Sequence, residues 1–444
     1  MTVILKGWAN AHLEPLPFCF CYSGWVAIIS LHRLEGYVKQ QVTIKPVIVH
    51  APAGMAGMDA QTASTRWAEE SPHTLHTPGA YEWWYFRAID ARGNGILLAL
   101  FEGLPFHPTY LAQIHRHAHK TLGKPFEQIR PGLKASQYPA AYFAVYEGGK
   151  RTAQFLNLYQ QSEHLPSMDV PDIRIGPNRV TLRQDGSFGI IARGYPFEIV
   201  RGRPTVRRDR VLSTNLTFKP TFPSIPHIRP FRAPGKSGSL HHWVLAAPHG
   251  TMEGNVRLRD NDEGMPLINL NIDALGYHDH VYGEEGLSQG VKKLMWGYVQ
   301  GESWTAAWHR SAGSDTSGNA GADGLVLFRK GHRPLVVEGP QCREEDMEMT
   351  RWLLKHPAKV SMYGSTARGK SVEFVLHNNA LLDSVPFHTQ LAALGTVTIP
   401  GSRPYAGTGV THVMKLGRLQ WPILSDLTLR AITTVSPDDP VWRE

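Results

Sequence analysis

What most constrains this chain is a recurring hairpin signal: short alternating apolar runs joined by glycine-containing turns. Tyr81 to Asp90 meets Ala91-Arg-Gly-Asn-Gly95 and resumes as Ile96 to Phe101. Tyr142 to Glu147 meets Gly148-Gly149, then Thr152 to Tyr159. Arg179 to Arg183 meets Asp185-Gly186, then Phe188 to Ala192. Gly-Gly and Asp-Gly supply the positive φ that tight hairpins need. Many short strands with regular turns predict an all-β fold of sandwich or barrel type with few short helices. The best helical stripe is Glu344 to His356, where Met347, Leu353 and Leu354 share a face, and a helix is expected there.

At 444 residues the chain is long enough for two or three domains. Hydrophobic residues at 42% and charged residues at 19% exclude a disordered or fibrous chain. Three cysteines, Cys19, Cys21 and Cys342, exclude a disulfide scaffold and Cys-rich zinc modules. The net charge of +8 attracts anions, and its densest stretch is Arg201 to Arg210. No nucleic-acid motif accompanies that stretch, so it reads as a solvated turn around Pro204 and no nucleic-acid partner is expected. The apolar run Pro17 to Leu31 is shorter than the roughly 20 residues of a spanning helix. It has three readings: a weak membrane tether, a remnant of gene-boundary translation, or an extra strand. The expectation is a soluble, cytoplasmic protein with membrane association only through this run. Its oligomeric state is left open. Ser311 to Gly324 reads as a flexible hairpin loop, and Pro220 to Pro234 as a long crossover.

Some motifs lose their chemical reading on inspection. Gly364-Ser-Thr-Ala-Arg-Gly369-Lys370-Ser371 matches the phosphate-loop pattern, but Val372 to Leu376 after it are strand formers, so a hairpin turn explains the glycines. His115, His117 and His119 would share one face of a strand and could hold a metal there. No HExxH, no GxSxG and no GxGxxG opening a helix occurs.

Three segments are harder to set aside. In Tyr81-Glu82-Trp83-Trp84-Tyr85-Phe86, strand parity puts Glu82, Trp84 and Phe86 on one face and Trp83 and Tyr85 on the other. A carboxylate among five aromatics is costly unless paired. In His241-His242-Trp243, His241 and Trp243 share a face. In Gly276-Tyr277-His278-Asp279-His280-Val281-Tyr282-Gly283, Tyr277 and Asp279 point one way and His278 and His280 the other.

Together these segments resemble the carotenoid 1,2-hydratase (hydroxyneurosporene synthase)-like family of twin lipocalin-like proteins, which is related to tocopherol cyclase and fungal lipocalin-like Diels–Alderases. The family pattern has E-W-W-Y, H-x-W and G-Y-H-D-H-x-x-G, matched here by Glu82 to Tyr85, His241 to Trp243 and Gly276 to Gly283. Trp296 to His309 fits its continuation. The resemblance runs from about Ala80 to the C-terminus, anchored between Tyr81 and Arg310. It implies two lipocalin-like β-barrel or β-sandwich domains in tandem, with residues 56–285 and 286–444 as the domains and 1–55 as an extension. It implies cofactor-independent chemistry, with no metal, on a hydrophobic small molecule. The family's functional positions map onto His241, Trp243, Tyr277 and Asp279. Where the family usually has Asn or Glu and then Trp before the last glycine, this chain has Val281 and Tyr282, so the mouth of the site is expected to differ.

The reaction implied is protonation of an alkene or epoxide by a carboxylic acid kept neutral in an apolar pocket. Asp279 is the expected acid, with Tyr277 or His241 relaying the proton and Glu82 as the alternative acid or as a partner fixing a histidine tautomer. Trp243, Trp84 and Trp83 are expected to face the carbocation, with Tyr85, His278, His280, Tyr282 and Trp296 completing the substrate site. The alternatives are a pericyclase that shapes a polyene without acid, a carrier of an apolar ligand, and a metal site at His241, His242, His278 and His280.

Overall fold

The computed structural model describes residues 70–73, 75, 77–121, 134–160, 171–201, 203–222, 231–234, 240–260, 266–313, 323–421 and 429–442. The apolar run Pro17 to Leu31 lies outside them, as does most of the Ser311 to Gly324 loop. The described residues fall within one compact unit, Pro52–Glu444.

The turn chemistry legible in the sequence is what the backbone uses. Strands β1 (Tyr81–Ile89) and β2 (Gly95–Glu102) are joined by a turn in which Asp90 Oδ1 accepts from the amides of Arg92 and Asn94, both at 2.8 Å. Gly148 and Gly149 take φ of 58° and 77° between β3 (Ala140–Glu147) and β4 (Lys150–Leu158). Such values are strained for any residue with a Cβ. After β5 (Asp172–Ile175), β6 (Asn178–Leu182) and β7 (Phe188–Gly194) turn at Asp185-Gly186, and Asp185 Oδ1 accepts from the Ser187 amide at 2.9 Å.

A small ribbon of β8 (Phe197–Val200) and β9 (Arg203–Val206) crosses the Arg-rich stretch. It is followed by β10 (Arg210–Pro220), β11 (Phe231–Pro234) and two long strands, β12 (Leu240–Asp260) and β13 (Pro266–Gly283). The first sheet has twelve strands in the order β22-β4-β3-β2-β1-β13-β12-β10-β7-β6-β5, with β11 on β12. Its β22 (Thr433–Thr434) comes from the end of the chain and pairs parallel with β4. Between the sheets lies a single helical turn, α2 (Leu287–Gly290). The eight strands from β14 (Val291–Gly301) and β15 (Trp304–Gly313) to β20 (His388–Thr398) and β21 (Tyr405–Lys415) then close into an antiparallel barrel.

Three apolar cores result. One, with Trp84, Phe86, Phe155 and Phe218, belongs to the first sheet. Another, with Trp308, Phe374 and Val397, is drawn only from the second half and fills the barrel. The third joins the two: Tyr81, Trp83, Tyr85, Trp243 and Tyr277 of the first sheet meet Trp296, Tyr298 and Val326 of the barrel strands. Alternation along β1 therefore sends Trp84 and Phe86 into one core and Trp83 and Tyr85 into another, as strand parity requires.

Two expectations fail. Residues 344–356 are not helical: they run from β17 (Leu335–Met349) through a turn into β18 (Lys355–Thr366). Thr350 Oγ1 accepts from the amides of Trp352 and Leu354, Leu353 sits at φ 57°, and Met347 and Leu353 are exposed. Cross-strand pairing overrode the weak helical stripe. His115, His117 and His119 lie on α1 (Pro108–Thr121), not on a strand. Residues two apart point to different sides of a helix, so the shared-face argument for them falls. The phosphate-loop look-alike is a hairpin turn between β18 and β19 (Ser371–Val385), with Gly369 at φ 72° and no helix after it.

The barrel closes where β14 meets β21, with Val299 opposite Gly409. A Cβ on Gly409 would lie 1.8 Å from the Tyr298 carbonyl oxygen and 2.7 Å from Val299 Cα. Both are backbone atoms that cannot swing aside. Gly409→Val should therefore cost about 2–4 kcal/mol, read as a lower urea midpoint, whereas Gly417→Ala, which meets nothing within 4 Å, should leave it unchanged.

Candidate active site between the sheet and the barrel

The site is built on the β1–β13–β12 triplet. Antiparallel register places Tyr85 opposite Asp279 and Arg87 opposite Tyr277. On the other side of β13, pairing with β12 slips between Val244 and Ala247, opposite His280 and His278. A bulge of this kind re-aims side chains beside it. It flanks Asp279 and brings Trp243, two residues along β12 from His241, over the carboxylate.

Asp279 is fully buried. Its Oδ2 accepts from Trp243 Nε1 at 2.8 Å and from the Tyr277 hydroxyl at 2.9 Å. Its Oδ1 has no hydrogen-bond partner among the described residues. Burial pushes the carboxyl up from 3.8 to about 7, against the opposing pull of the two donors. A carboxyl with two donors on one oxygen and a bare second oxygen has room for its proton on that second oxygen. Tyr277 is fixed by stacking on Tyr298 at 4.0 Å, and Tyr85 meets its edge at 6.2 Å.

In front of Trp243 is an almost wholly apolar crevice of about 40 Å³, partly open to solvent. Tyr81, Trp83, His241, Trp243, Trp296 and His309 are among its walls. Asp279 is not in the wall; the Trp243 indole stands between it and the crevice. His241 Nδ1 lies 2.8 Å from the Tyr81 hydroxyl, and its Nε2 lies 3.7 Å from Glu285 Oε1. Burial lowers His241 to about 4, so it is neutral at pH 7 despite Glu285. The Tyr81 hydroxyl, pushed well up by burial, donates to Nδ1, which assigns the ring proton to Nε2.

Of the residues singled out from sequence, Tyr277, Asp279, Trp243, His241, Trp83, Tyr85 and Trp296 meet in the layer between sheet and barrel. The structure does not bring Glu82, Trp84, His278 or His280 to that layer. They occupy the opposite face of the same strands. Glu82 Oε1 is 2.7 Å from both His73 Nδ1 and His280 Nε2, and His278 is bonded to Glu70. Burial pushes the Glu82 carboxyl up, but the bonds from His280 and His73 outweigh it and hold the group below its ordinary value. Glu82 is thus placed to hold His73 and His280, and among the described residues His241, His242, His278 and His280 form no metal-ligand group. Trp84 stacks on His280 at 4.9 Å, and Tyr282 stacks on His242 at 4.5 Å and on His73 at 3.8 Å.

Sequence reasoning missed Tyr298, His309, Glu285, Glu70 and His73. Glu285, two residues beyond the Gly276 to Gly283 motif, and Tyr298 and His309, within the Trp296 to His309 run, carried a usable signal; Glu70 and His73 carried none. No helix among the described residues is long and apolar enough to cross a membrane.

No family model matches the chain. A curated relative, hydroxyneurosporene dehydrogenase of Chlorobaculum tepidum, is 24% identical over 342 residues, covering 74% of this chain and 81% of the relative. Among solved structures, an AttH-type protein of Nitrosomonas europaea superposes with a TM-score of 0.50 at 13% identity, covering 83% of this chain and 99% of its own. Kievitone hydratase of Nectria haematococca gives 0.44 at 10% identity over 78% of this chain and 91% of its own. In sequence and fold the chain is similar to the carotenoid 1,2-hydratase-like group of twin lipocalin-like proteins, as its motifs implied.

A carboxyl whose pKa is raised on folding binds a proton in the folded state that the unfolded chain has released. The stability it confers is full below its unfolded value and is lost as pH rises through the folded one. Between about pH 4 and pH 7 wild type should therefore lose on the order of 3–4 kcal/mol relative to Asp279→Asn, which has no such titration. Urea unfolding of both proteins across that range measures the difference.

Proposed function

We propose that this protein is a cofactor-independent hydratase or cyclase that protonates an alkene or epoxide at the end of an apolar, terpenoid-like molecule. The observation that carries the reading is Asp279, a fully buried carboxyl held neutral to about pH 7 beside an aromatic, apolar crevice. The likeness to a hydroxyneurosporene enzyme favours an isoprenoid substrate. A crevice of about 40 Å³ suits the reacting end of a chain, with the remainder leaving through the open side.

The substrate displaces the Trp243 indole from Oδ2, and the freed carboxyl turns its protonated Oδ1 into the vacated space to meet the alkene. The Asp279 proton adds to one alkene carbon, the π pair forms the new C–H bond, and the neighbouring carbon becomes a carbocation. Losing the indole donor keeps Asp279 protonated until that moment, because a bond to the anion is removed. Trp83, Trp243 and Trp296 turn π faces to the cation, each contact contributing roughly 1–2 kcal/mol when dry. Water then adds to the cation, or an internal double bond does, or a neighbouring C–H bond gives up its proton. The proton released passes through the Tyr81 hydroxyl to His241 Nδ1, with Glu285 beside Nε2 to stabilise the imidazolium.

Acid catalysis by a group titrating near 7 fixes the pH profile: kcat/KM should be level below about pH 6 and fall tenfold per unit above about 7. Asp279→Asn should lower kcat by roughly 10²–10⁴ while folding normally. The test is product analysis of prenylated, epoxidised and polyene substrates, without cofactor and in parallel with nicotinamide or flavin. Turnover by Asp279→Asn at the wild-type rate would remove the acid and leave a shape-driven pericyclase. Turnover only with a hydride acceptor would make the protein a redox enzyme instead.

A further inference from the structure

Behind β1 and β13, on the face turned away from Asp279, five titratable side chains come together: Glu70, His73, Glu82, His278 and His280. We propose that His73 Nδ1, Glu82 Oε1 and His280 Nε2 form a three-ligand site for a divalent metal ion of the zinc class, which ties the segment before β1 to the sheet. Their ligand atoms lie within 4.8 Å of one another. Two imidazoles and one carboxylate are a donor set that zinc favours, leaving a fourth position for water.

Tautomers carry the argument. His280 has an acidic neighbour at each ring nitrogen: Glu82 Oε1 2.7 Å from Nε2 and Glu70 Oε2 3.6 Å from Nδ1. Without an ion the ring can offer an N–H to both carboxylates only as an imidazolium; a neutral ring, with one N–H, would turn a lone pair toward one of them. With an ion a neutral ring suffices: Nε2 gives its lone pair to the metal, and Nδ1–H faces Glu70 Oε2, which at 3.6 Å lies just beyond hydrogen-bond length. This carboxylate–histidine–metal order is the usual outer support of a metal ligand. Glu70 Oε2 is buried and has no hydrogen-bond partner among the described residues, while its other oxygen is bonded to His278 and its carbonyl accepts from Trp84 Nε1 at 3.0 Å. The second carboxylate is therefore held in place with an oxygen to spare.

The site also has a way in. The His73 side chain is 29% exposed, whereas Glu82 and His280 are fully buried, so an ion reaches the fixed pair past the one movable ligand. A tetrahedral ion bonded at 2.0–2.1 Å sets nitrogen-to-oxygen spans of about 3.3 Å, so the two 2.7 Å contacts would open by about 0.6 Å. Rotation of His73 opens its own contact, and the contact between Glu82 and His280 opens by rotation of those two side chains.

The test uses the full chain without a histidine tag, freed of metal by chelator dialysis and titrated with zinc chloride. Retained zinc is measured by elemental analysis after desalting. Wild type should retain one zinc per chain and melt at higher temperature with zinc than without. His73→Ala, at the exposed ligand, should keep the wild-type circular dichroism spectrum, lose at least tenfold in affinity and lose the thermal shift. Glu82→Gln should do the same where it folds. No zinc retained by wild type overturns the proposal, and so does equal retention by His73→Ala. Neither outcome bears on Asp279, which lies on the other face and is read by turnover.

Discussion

Everything in the candidate site depends on one strand carrying two chemistries. Along β13 the order Tyr277, His278, Asp279, His280 alternates between faces, and β1 alternates opposite it. Two carboxyls of this strand pair, Glu82 and Asp279, meet opposite environments. Glu82 receives bonds from two imidazoles and a backbone amide and is held below its ordinary value. Asp279 receives only an indole N–H and a phenol and is pushed up by burial. Two carboxyl groups whose surroundings drive their pKa values apart are the pattern that separates an acid from an anion at neutral pH. A one-residue register slip of β13 would turn Asp279 away from Trp243 and carry His280 away from Glu82, and both arrangements would be lost.

The position of the crevice follows from the layering. The barrel interior is filled by Trp308, Phe374 and their neighbours, and the first sheet has its own aromatic core. The crevice lies at the seam where outward-facing barrel residues such as Trp296 and Tyr298 meet Trp83, Tyr85, Trp243 and Tyr277. A seam between two packed bodies can admit a substrate by small separations that would unfold either body alone. The chain strengthens the seam with polar contacts at its depth. Gln300 Nε2 donates to the carbonyls of Pro248 and Gly276 at 2.9 Å, and Arg87 donates to Gln390 Oε1 at 2.7 Å.

Much of this was legible in the sequence, for reasons that also mark the limit. Alternation fixes which side chains share a face, so the split of Tyr277 and Asp279 from His278 and His280 could be read directly. Turn residues such as Gly148-Gly149 and Asp185-Gly186 fix hairpins for local steric reasons. Parity does not say what lies across the gap. Glu70 meets His278 from 208 positions away, out of a segment with no periodic pattern. Tyr298 stacks on Tyr277 only because the barrel docks on that face. The helix expected at residues 344–356 failed for the same reason: a local stripe of three apolar residues cannot outweigh the ladder that β17 forms with β18.

If Asp279 is the acid proposed, the placement of Trp243 decides how far it can be buried and still act. A carboxyl in the crevice wall would meet water, return toward its ordinary value and ionise. Sealed behind the indole, Asp279 is shielded from the crevice, and on the proposed reading a flat apolar molecule would take the place of the indole, whose hydrogen bond to Oδ2 is 2.8 Å long. The energies are commensurate. A hydrogen bond to a neutral carboxyl contributes about 1 kcal/mol, and burying the end of an isoprenoid chain contributes several times that, at about 0.8 kcal/mol per CH₂. On the proposed reading, the substrate's own apolar surface would drive the opening of the seal, and polar solutes would lack that drive. On that reading, selectivity for an apolar substrate and protection of the proton from water would come from the same side chain.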